Sequence, residues 1–191
     1  IDRFIGRRVD GIVALCDDAK RDLAPIARGP VEVIPPGLDV GEEACASEVA
    51  SACSHHGLAL GEYALYCGNL DGYQDLDLLA QAAALMSKGG GDPKVVVATH
   101  DATALPVSFY GVANLSCIEV ENFAQMRALI AGAQSVVLCR QRRGGFPIKL
   151  LNYMEASKAI VAFQGIAPGF EHRESAWLLE EDAGAPQLAE A

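Results

Sequence analysis

A short run of glycine, proline and lysine is the part of this sequence best suited to chemistry. It consists, in order, of Gly144, Gly145, Phe146, Pro147, Ile148 and Lys149, and Asn152 follows closely. Proline is favoured in a first helical turn, so we expect a helix over residues 147–157 that begins at about Pro147. The free N–H groups and the dipole of a helix start attract anions. Lys149 opposes that dipole, and either a bound anion or exposure to solvent would relieve the conflict.

Positive charge is concentrated just before this run. Arg140, Arg142 and Arg143 lie in the loop that precedes Gly144, in a chain with 15 basic and 25 acidic residues. Arginine makes bidentate contacts with phosphate, so these residues and Lys149 are candidates for holding one. Two other interpretations stay open. The loop could be simply solvated, as exposed charges often are, or it could face another domain.

The composition limits the partners of the chain. A length of 191 residues, with 51% hydrophobic and 21% charged residues, suits one globular domain or one domain and part of another. The net charge of -10 argues against nonspecific binding to nucleic acids or anionic membranes. No apolar run reaches the roughly 20 residues of a membrane span, and no signal peptide opens the sequence. Because it begins at Ile1, we expect a fragment or a processed chain.

The cysteines favour a reducing compartment. None of the 6 belongs to a CxxC pair, and several end apolar runs, where a free thiol behaves as a small hydrophobic group. We therefore expect a cytoplasmic protein, with membrane association through a segment outside this chain as an alternative. Cys53, His55 and His56 form the only group that resembles metal ligands. A helix end running into Gly57 explains them better, so we expect no metal site.

Apolar strands alternate with helices along the chain, which predicts an α/β fold with a doubly wound parallel sheet. Asn122 is expected to cap the helix that follows it, and residues 35–37 break the chain sharply. The expected strands cover residues 11–16, 31–34, 63–67, 94–99, 135–139, 159–163 and 176–179, with short candidates at 107–110 and 115–118. The expected helices cover residues 19–28, 41–56, 76–88, 123–133 and 147–157, and a last one begins at Pro186.

Ligands of parallel α/β sheets bind beyond the carboxyl ends of the strands. In this chain those ends include Gly68 with Asn69, Thr99 with His100, and the loop at residues 140–145. Gly68 could let a ligand approach the backbone, or could merely end a strand. His100 could reach a base or a ribose, or could be an ordinary surface imidazole.

Three stretches, in this order and spacing, together resemble the group 1 nucleotide-sugar glycosyltransferases, which have the two-domain GT-B fold. The first is the approach to the interdomain hinge, residues 9–16 and 33–39. The second is the first strand, glycine loop and helix of the C-terminal domain, beginning with LYCGNL at residues 65–70. The third is the donor-binding loop and helix, GFPIKLLNYM at residues 145–154. The resemblance covers nearly the whole chain.

The resemblance implies a division of the chain. Residues 1–34 would be the end of an N-terminal, acceptor-binding domain, residues 35–40 a hinge, and residues 41–191 a Rossmann-like donor-binding domain truncated at its C-terminus. It also implies a transferase of hexosyl type that moves a sugar from a nucleotide-diphosphate donor to an unknown acceptor (a glycan, a lipid or a small molecule), with retention of configuration. The donor is a substrate, so no cofactor is expected. Without its N-terminal domain, the chain alone would be inactive.

The sequence departs from the family at four positions. The loop after the first C-domain strand usually supplies an arginine and a lysine, and here those positions hold Asn69 and Gln74. The family also places two glutamates around the donor loop, and here Gly144 and Asn152 stand in their place. Asn152 can still bond a ribose hydroxyl, whereas Gly144 offers only its backbone. The donor-binding residues implied by the resemblance are Gly68, Asn69, Gln74, His100, Gly144, Gly145, Phe146, Pro147, Ile148, Lys149 and Asn152.

These departures leave two other interpretations. One is a degenerate, non-catalytic module that scaffolds a partner. The other is a flavodoxin-like or different doubly wound domain with an unrelated function, because a fold does not determine a function. The last interpretation predicts one sheet that continues through residues 11–34, with no chain break at Pro35.

Overall fold

Six parallel strands form the main sheet of the chain. The computed structural model describes residues 2–38, 43–86, 93–103 and 105–191. The strands of this sheet are β3 (Tyr63–Cys67), β4 (Lys94–Thr99), β5 (Leu115–Glu119), β6 (Ser135–Leu138), β7 (Ala159–Phe163) and β8 (Trp177–Leu179), in the spatial order β5-β4-β3-β6-β7-β8. The chain order reverses between β3 and β6, so the predicted doubly wound parallel sheet is confirmed.

Two groups of helices pack around this sheet. The helices are α3 (Ala46–His55), α4 (Leu76–Met86), α5 (Phe123–Gly132), α6 (Lys149–Glu155) and α7 (Ala185–Glu190). α5 contacts α3 and α6, and α4 contacts α7. The central strands are almost entirely buried, because β3 and β4 are covered by apolar side chains on both faces. Asn122 caps α5 as predicted, since its side chain accepts a hydrogen bond of 2.9 Å from the backbone N–H of Gln125.

The first residues of the chain form a separate small unit. Its strands β1 (Ile12–Ala14) and β2 (Val31–Val33) pair in parallel with each other as a two-stranded sheet, flanked by α1 (Asp2–Gly6) and α2 (Asp17–Leu23). Among the described residues this sheet does not join the larger one, which disagrees with the continuous sheet of the flavodoxin-like interpretation. Val13 and Ile34 are 58% and 56% exposed, so the unit leaves part of its apolar surface uncovered.

Most differences from the predicted elements lie at their ends. The helix expected at residues 19–28 is α2 followed by a 3-10 helix at Ala24–Ile26, because Pro25 cannot donate an N–H to a continued helix. The helix expected from Pro147 begins two residues later, at Lys149. The strand candidate at residues 107–110 is wrong: Val107–Phe109 forms a 3-10 helix.

Some predictions fall partly outside the described residues. These are the end of the predicted hinge at 35–40, the start of the predicted helix at 41–56, and the end of the predicted helix at 76–88. Among the described residues, no helix combines the length and the apolar character needed to cross a bilayer.

Candidate functional site

The side chain of Lys149 crosses from the start of α6 to the end of β3. Its Nζ donates hydrogen bonds of 2.6 Å to the hydroxyl of Tyr66 and 3.1 Å to Oε1 of Gln74. The same ammonium lies 4.0 Å from the centroid of the Tyr66 ring, close enough for a cation–π interaction. These contacts fix a positive charge at the carboxyl end of the central strand.

Gly68 makes room for this lysine. A Cβ atom built on Gly68 would lie 2.5 Å from Cε and 2.7 Å from Nζ of Lys149, so a side chain at this position would overlap the lysine. The backbone of Gly68 also has a φ of +137°, which only glycine adopts readily. Its N–H is already bonded to the carbonyl of Ala98 at 2.9 Å. The lack of a side chain at Gly68 therefore allows Lys149 to reach the end of β3.

The loop after β3 holds the lysine through a ring of hydrogen bonds. The hydroxyl of Tyr66 donates to the backbone oxygen of Asn69 at 2.7 Å, and Nε2 of Gln74 donates to Oδ1 of Asn69 at 3.1 Å. Gln74 is only 5% exposed, so its amide has little freedom to turn away. Asn69 and Gln74 thus help to position the ammonium group that α6 supplies.

Lys149 takes part in none of the ion pairs among the described residues. Burial lowers the pKa of its ammonium from the usual 10.5 to about 8. The nearby Arg140 guanidinium acts in the same direction, and the Asp71 carboxylate acts in the opposite one. A largely buried cation without an ion-pair partner is destabilising in the free protein and attracts an anion.

Two thiols lie beside the lysine. Cys67 and Cys139 are 4% and 0% exposed, and Sγ of Cys139 donates to the backbone oxygen of Gln74 at 2.9 Å. Burial raises the pKa of both thiols, that of Cys139 to about 12. Both are neutral at physiological pH and do not balance the charge of Lys149.

We expect this lysine to make the protein more stable at moderately alkaline pH. Its pKa is about 8 in the folded state and about 10.4 in an unfolded chain, so between these values the unfolded state binds more protons. The cost of burying the charge is fully present below pH 8 and is relieved as the pH rises. Between pH 7 and 9.5 the Lys149 contribution should improve by about 2 kcal/mol.

Urea unfolding of the wild type and of Lys149→Met at both pH values measures this contribution. Because other groups titrate in both proteins, the difference between the two pH responses isolates the lysine. An identical pH response in the two proteins would contradict the depressed pKa.

A hollow of about 350 Å³ opens directly over the lysine. Its walls come from the loop after β3, the end of β6 and the glycine loop: Asn69, Tyr73, Gln74, Leu138, Arg140, Phe146, Pro147, Ile148 and Lys149. We call it the lysine hollow. Most of the residues that the resemblance implied for donor binding therefore lie together in one place.

The basic residues of the preceding loop have different surroundings. Arg140 lines the lysine hollow, and its Nη2 donates to the backbone oxygen of Gly145 at 3.2 Å, while its Nε is buried without a hydrogen-bond partner. Arg143 instead forms an ion pair with Glu181, and Arg142 is exposed. Of the three arginines, only Arg140 has a donor that is buried and unpaired.

Five of the predicted site residues do not line the lysine hollow, and two of these, Gly68 and Gly145, lie directly beside residues that do. His100 is exposed, and its Nδ1 lies 3.3 Å from the backbone oxygen of Val120. Asn152 lines a different groove, between α5 and α6, together with Arg127 and Glu155. Gly144 borders a second hollow, on the other side of Phe146.

The second hollow has a volume of about 280 Å³ and lies between the N-terminal unit and the large sheet. We call it the second hollow. Cys16, Asp17 and Asp18 line it from one side, and Gly144, Gly145 and Gly165 from the other. Arg140 and Phe146 line both hollows, so the two are neighbours.

Tyr66 is the site residue that the sequence analysis missed. It precedes Gly68 by two positions on β3, and alternate residues of a strand point to the same face. A tyrosine in an apolar strand, two residues before a glycine at the strand end, was the available signal. Within the described residues, no group of histidine, cysteine and acidic side chains could hold a metal ion.

The sequence profile of one family, described as glycosyl transferases group 1, matches residues 61–191. This match covers more than half of the chain. The chain belongs to the group 1 glycosyl transferases. A comparison with curated protein sequences gives no match.

Solved structures with the same fold include other glycosyltransferases. HepE of Anabaena in complex with UDP-glucose superposes with a TM-score of 0.73 at 14% identity, over 97% of this chain and 53% of HepE. TarM superposes with a TM-score of 0.71 at 14% identity, over 99% of this chain and 37% of TarM. WaaG, a glycosyltransferase of lipopolysaccharide biosynthesis, gives a TM-score of 0.66 at 16% identity, over 93% of this chain and 51% of WaaG. This group 1 chain therefore spans about half the length of these proteins or less.

Proposed function

We propose that this chain is the donor-binding half of a glycosyltransferase that moves a sugar from a nucleoside diphosphate to an acceptor. The acceptor class stays open among glycans, lipids and small molecules, and we propose transfer of a hexose with retention of configuration. The observation that carries the proposal is the largely buried ammonium of Lys149, which lines the lysine hollow and forms no ion pair with the described residues. HepE, a neighbour in fold, binds UDP-glucose, and this agrees with a nucleotide-sugar donor.

The chemistry of the transfer explains the need for a cation here. When the sugar leaves, negative charge grows on the diphosphate, and fixed positive charge stabilises it in the transition state. Lys149 and Arg140 line the same hollow and offer such charge. A diphosphate would also raise the pKa of Lys149, because it replaces lost hydration with an opposite charge.

The lysine takes over a task that the loop after β3 performs elsewhere in the family. Asn69 and Gln74 hold no charge, but together with Tyr66 they hold the ammonium of Lys149 over the end of β3. The positive charge thus comes from α6 instead of the loop. In this proposal the loss of the loop cations does not by itself remove the capacity to bind a diphosphate.

The rest of the site belongs to a second domain. We propose that residues 1–34 are the end of an acceptor-binding domain and that residues 35–40 act as a hinge to the donor-binding domain at 41–191. The separate two-stranded sheet and its exposed Val13 and Ile34 support this division. Catalysis then needs the full-length parent protein, and this chain alone is inactive.

Calorimetric titration of the full-length parent with UDP, GDP and ADP tests the proposal. We expect one of them to bind, and its affinity to fall about tenfold between pH 7 and pH 9, because Lys149 loses its proton near pH 8 in the free protein. Inorganic sulfate serves as the control for nonspecific anion binding. No binding of any nucleoside diphosphate at millimolar concentration would refute the proposal.

A non-catalytic scaffold is the second candidate. It is favoured by the absence of carboxylates at Gly144 and Asn152 and by the hydrogen bonds that already satisfy Lys149 in the free chain. The titration distinguishes the two candidates. A scaffold would bind no nucleoside diphosphate, whereas a transferase would bind one and release it from a donor in the presence of an acceptor.

A further inference from the structure

We infer that Lys149 is a site of covalent modification, where its amine is acylated by a small acyl phosphate such as acetyl phosphate. The reaction converts Nζ into an amide and removes the positive charge from the lysine hollow. The modification itself does not depend on the proposed function. Its consequence, the loss of diphosphate binding, rests on that function.

The hydrogen bonds around Lys149 leave one position on its nitrogen for a reaction. The hydroxyl of Tyr66 donates to the backbone oxygen of Asn69, and Nε2 of Gln74 donates to Oδ1 of Asn69. The Tyr66 oxygen and Oε1 of Gln74 therefore act as acceptors for Nζ, at 2.6 and 3.1 Å. An ammonium has three N–H groups, so a third position remains beside these two bonds. It becomes the lone pair of the amine when the proton is lost.

The lysine hollow is the open space beside this position. On the side of β3, Nζ lies 4.0 Å from the centroid of the Tyr66 ring, and the Cβ position of Gly68 is 2.7 Å from Nζ. The hollow of about 350 Å³ opens over the same lysine side chain. A small reagent in the hollow can therefore approach the amine while Tyr66 and Gln74 hold it.

The amine of Lys149 is neutral more often than that of an exposed lysine. Burial lowers its pKa to about 8, and Arg140 acts in the same direction, whereas Asp71, Cys67 and Cys139 act in the opposite one. At pH 8 about half of the Lys149 amine is neutral, against less than about 1% for an exposed lysine with a pKa of about 10.4. Since the neutral amine is the nucleophile, burial activates this lysine.

Arg140 makes a phosphate the suitable leaving group. Its guanidinium lines the same hollow as Lys149, so a phosphate dianion can bind there while its acyl carbon meets the amine. The amine attacks the carbonyl carbon and an N–C bond forms. The bond between that carbon and the phosphate oxygen breaks, inorganic phosphate leaves with its electron pair, and the amine proton passes to water. The products are an amide and phosphate, and the acyl phosphate is the only co-reactant.

The test is the rate of acetylation at each lysine of the full-length parent. The protein is treated with acetyl phosphate at pH 8, and the acetylated lysines are quantified by mass spectrometry. Lys149 should be acetylated about tenfold faster than Lys158. Lys158 is the matched control, because its Nζ also donates two hydrogen bonds, to the backbone oxygens of Ala131 and Ala133 at 2.5 and 3.1 Å, but it lines neither hollow. Equal rates at the two lysines would overturn the inference.

Two further measurements test the chemistry of the site. Acetic anhydride carries no phosphate, so its preference for Lys149 over Lys158 should be several-fold smaller, and an equal preference would contradict binding of the phosphate. The rate at Lys149 should rise about tenfold between pH 7 and pH 9, because its pKa is about 8. A rise of roughly 100-fold, as expected of a lysine with an ordinary pKa, would contradict the activation.

A substitution beside the amine provides an independent test. Gln74→Glu places a carboxylate where Oε1 now accepts from Nζ, which should raise the pKa of Lys149 and slow its acetylation about tenfold at pH 8. Gln81→Glu adds the same charge at an exposed position of α4 and should not change the rate. An unchanged rate in Gln74→Glu would contradict the role of the neutral amine.

Titration of the acetylated protein with UDP, GDP and ADP separates the inference from the proposed function. We expect the acetylated protein to lose the binding that the untreated protein shows. If Lys149 is not acetylated preferentially, the inference is wrong while the proposed function stands. If acetylated Lys149 still permits binding, the modification stands and the assignment of the diphosphate to this lysine is wrong.

Discussion

Replacing Lys149 with methionine is expected to weaken the binding of a nucleoside diphosphate about 100-fold without lowering the stability of the fold. The loss in affinity follows from the removal of a buried positive charge that faces the ligand, which typically costs between 2 and 5 kcal/mol in a complex. Methionine has nearly the same length as the lysine stem, so it fills the space over Gly68 and leaves no large cavity.

The stability is maintained because the free protein gains little from this charge. Its pKa of about 8 indicates that burial disfavours the ammonium more than the surrounding dipoles favour it. The hydroxyl of Tyr66 keeps the bond that it donates to Asn69, while the Tyr66 oxygen and Oε1 of Gln74 each lose the hydrogen bond that they accept from Lys149. Calorimetric titration and urea unfolding of the same preparations measure both effects.

Lys94→Met is the control for this experiment, because Lys94 begins β4 at the end of the sheet opposite the site. It should leave binding unchanged. Unaltered diphosphate affinity in Lys149→Met would show that the ligand binds elsewhere. A large loss of stability in the same variant would instead assign the lysine a structural role.

The second large effect is expected from Gly68→Ala, which should lower the free energy of unfolding by about 3 kcal/mol. Part of this loss comes from the φ of +137°, which an alanine adopts only with strain. The rest comes from the new methyl group, which would lie 2.5 Å from Cε of Lys149 and displace it from the end of β3. The same displacement should weaken diphosphate binding.

A double-mutant cycle separates the two causes. In a Lys149→Ala background, Gly68→Ala should be less costly by about 1 kcal/mol, because only the backbone strain remains. Gly72→Ala serves as the control, since no atom lies within 4 Å of its Cβ position. Equal effects of Gly68→Ala in both backgrounds, measured by urea unfolding, would rule out the steric contact with the lysine.

The buried strands could be predicted closely because a short run of neighbouring residues is enough to specify each of them. β3, β4 and β7 begin and end at the predicted residues, since each contains an uninterrupted run of apolar residues, which β4 precedes with Lys94. The predicted strand at residues 107–110 is wrong because two of the apolar residues of this segment are not buried. Val107 and Tyr110 are apolar in sequence but 86% and 71% exposed, so their composition was misleading about burial.

The site could be predicted in its residues more than in its geometry. The family resemblance pointed to Gly68, Asn69, Gln74 and Lys149 separately, and the structure places them around one hollow. That Lys149 reaches Tyr66 depends on the packing of α6 against a strand that is 83 residues distant in sequence. A pattern of neighbouring residue types cannot predict a contact between residues so far apart in the sequence.

Asn152 is a residue whose surroundings the sequence could not predict. It belongs to the same helix as Lys149, yet it lines the groove that α6 forms with α5. Its direction depends on how α6 is rotated against its neighbour, and the residue types of the segment do not determine that rotation. For this reason its assignment to the ribose stays a prediction.

The two thiols beside Lys149 are natural probes of how often the interior of the site becomes accessible to a reagent. Cys67 and Cys139 are buried under the hollow with raised pKa values, whereas Cys45 is exposed. A thiolate reacts with alkylating reagents only when it is both ionised and accessible. The rate at which these cysteines are modified therefore reports how often the centre of the sheet opens, and a ligand that closes the site would slow that rate.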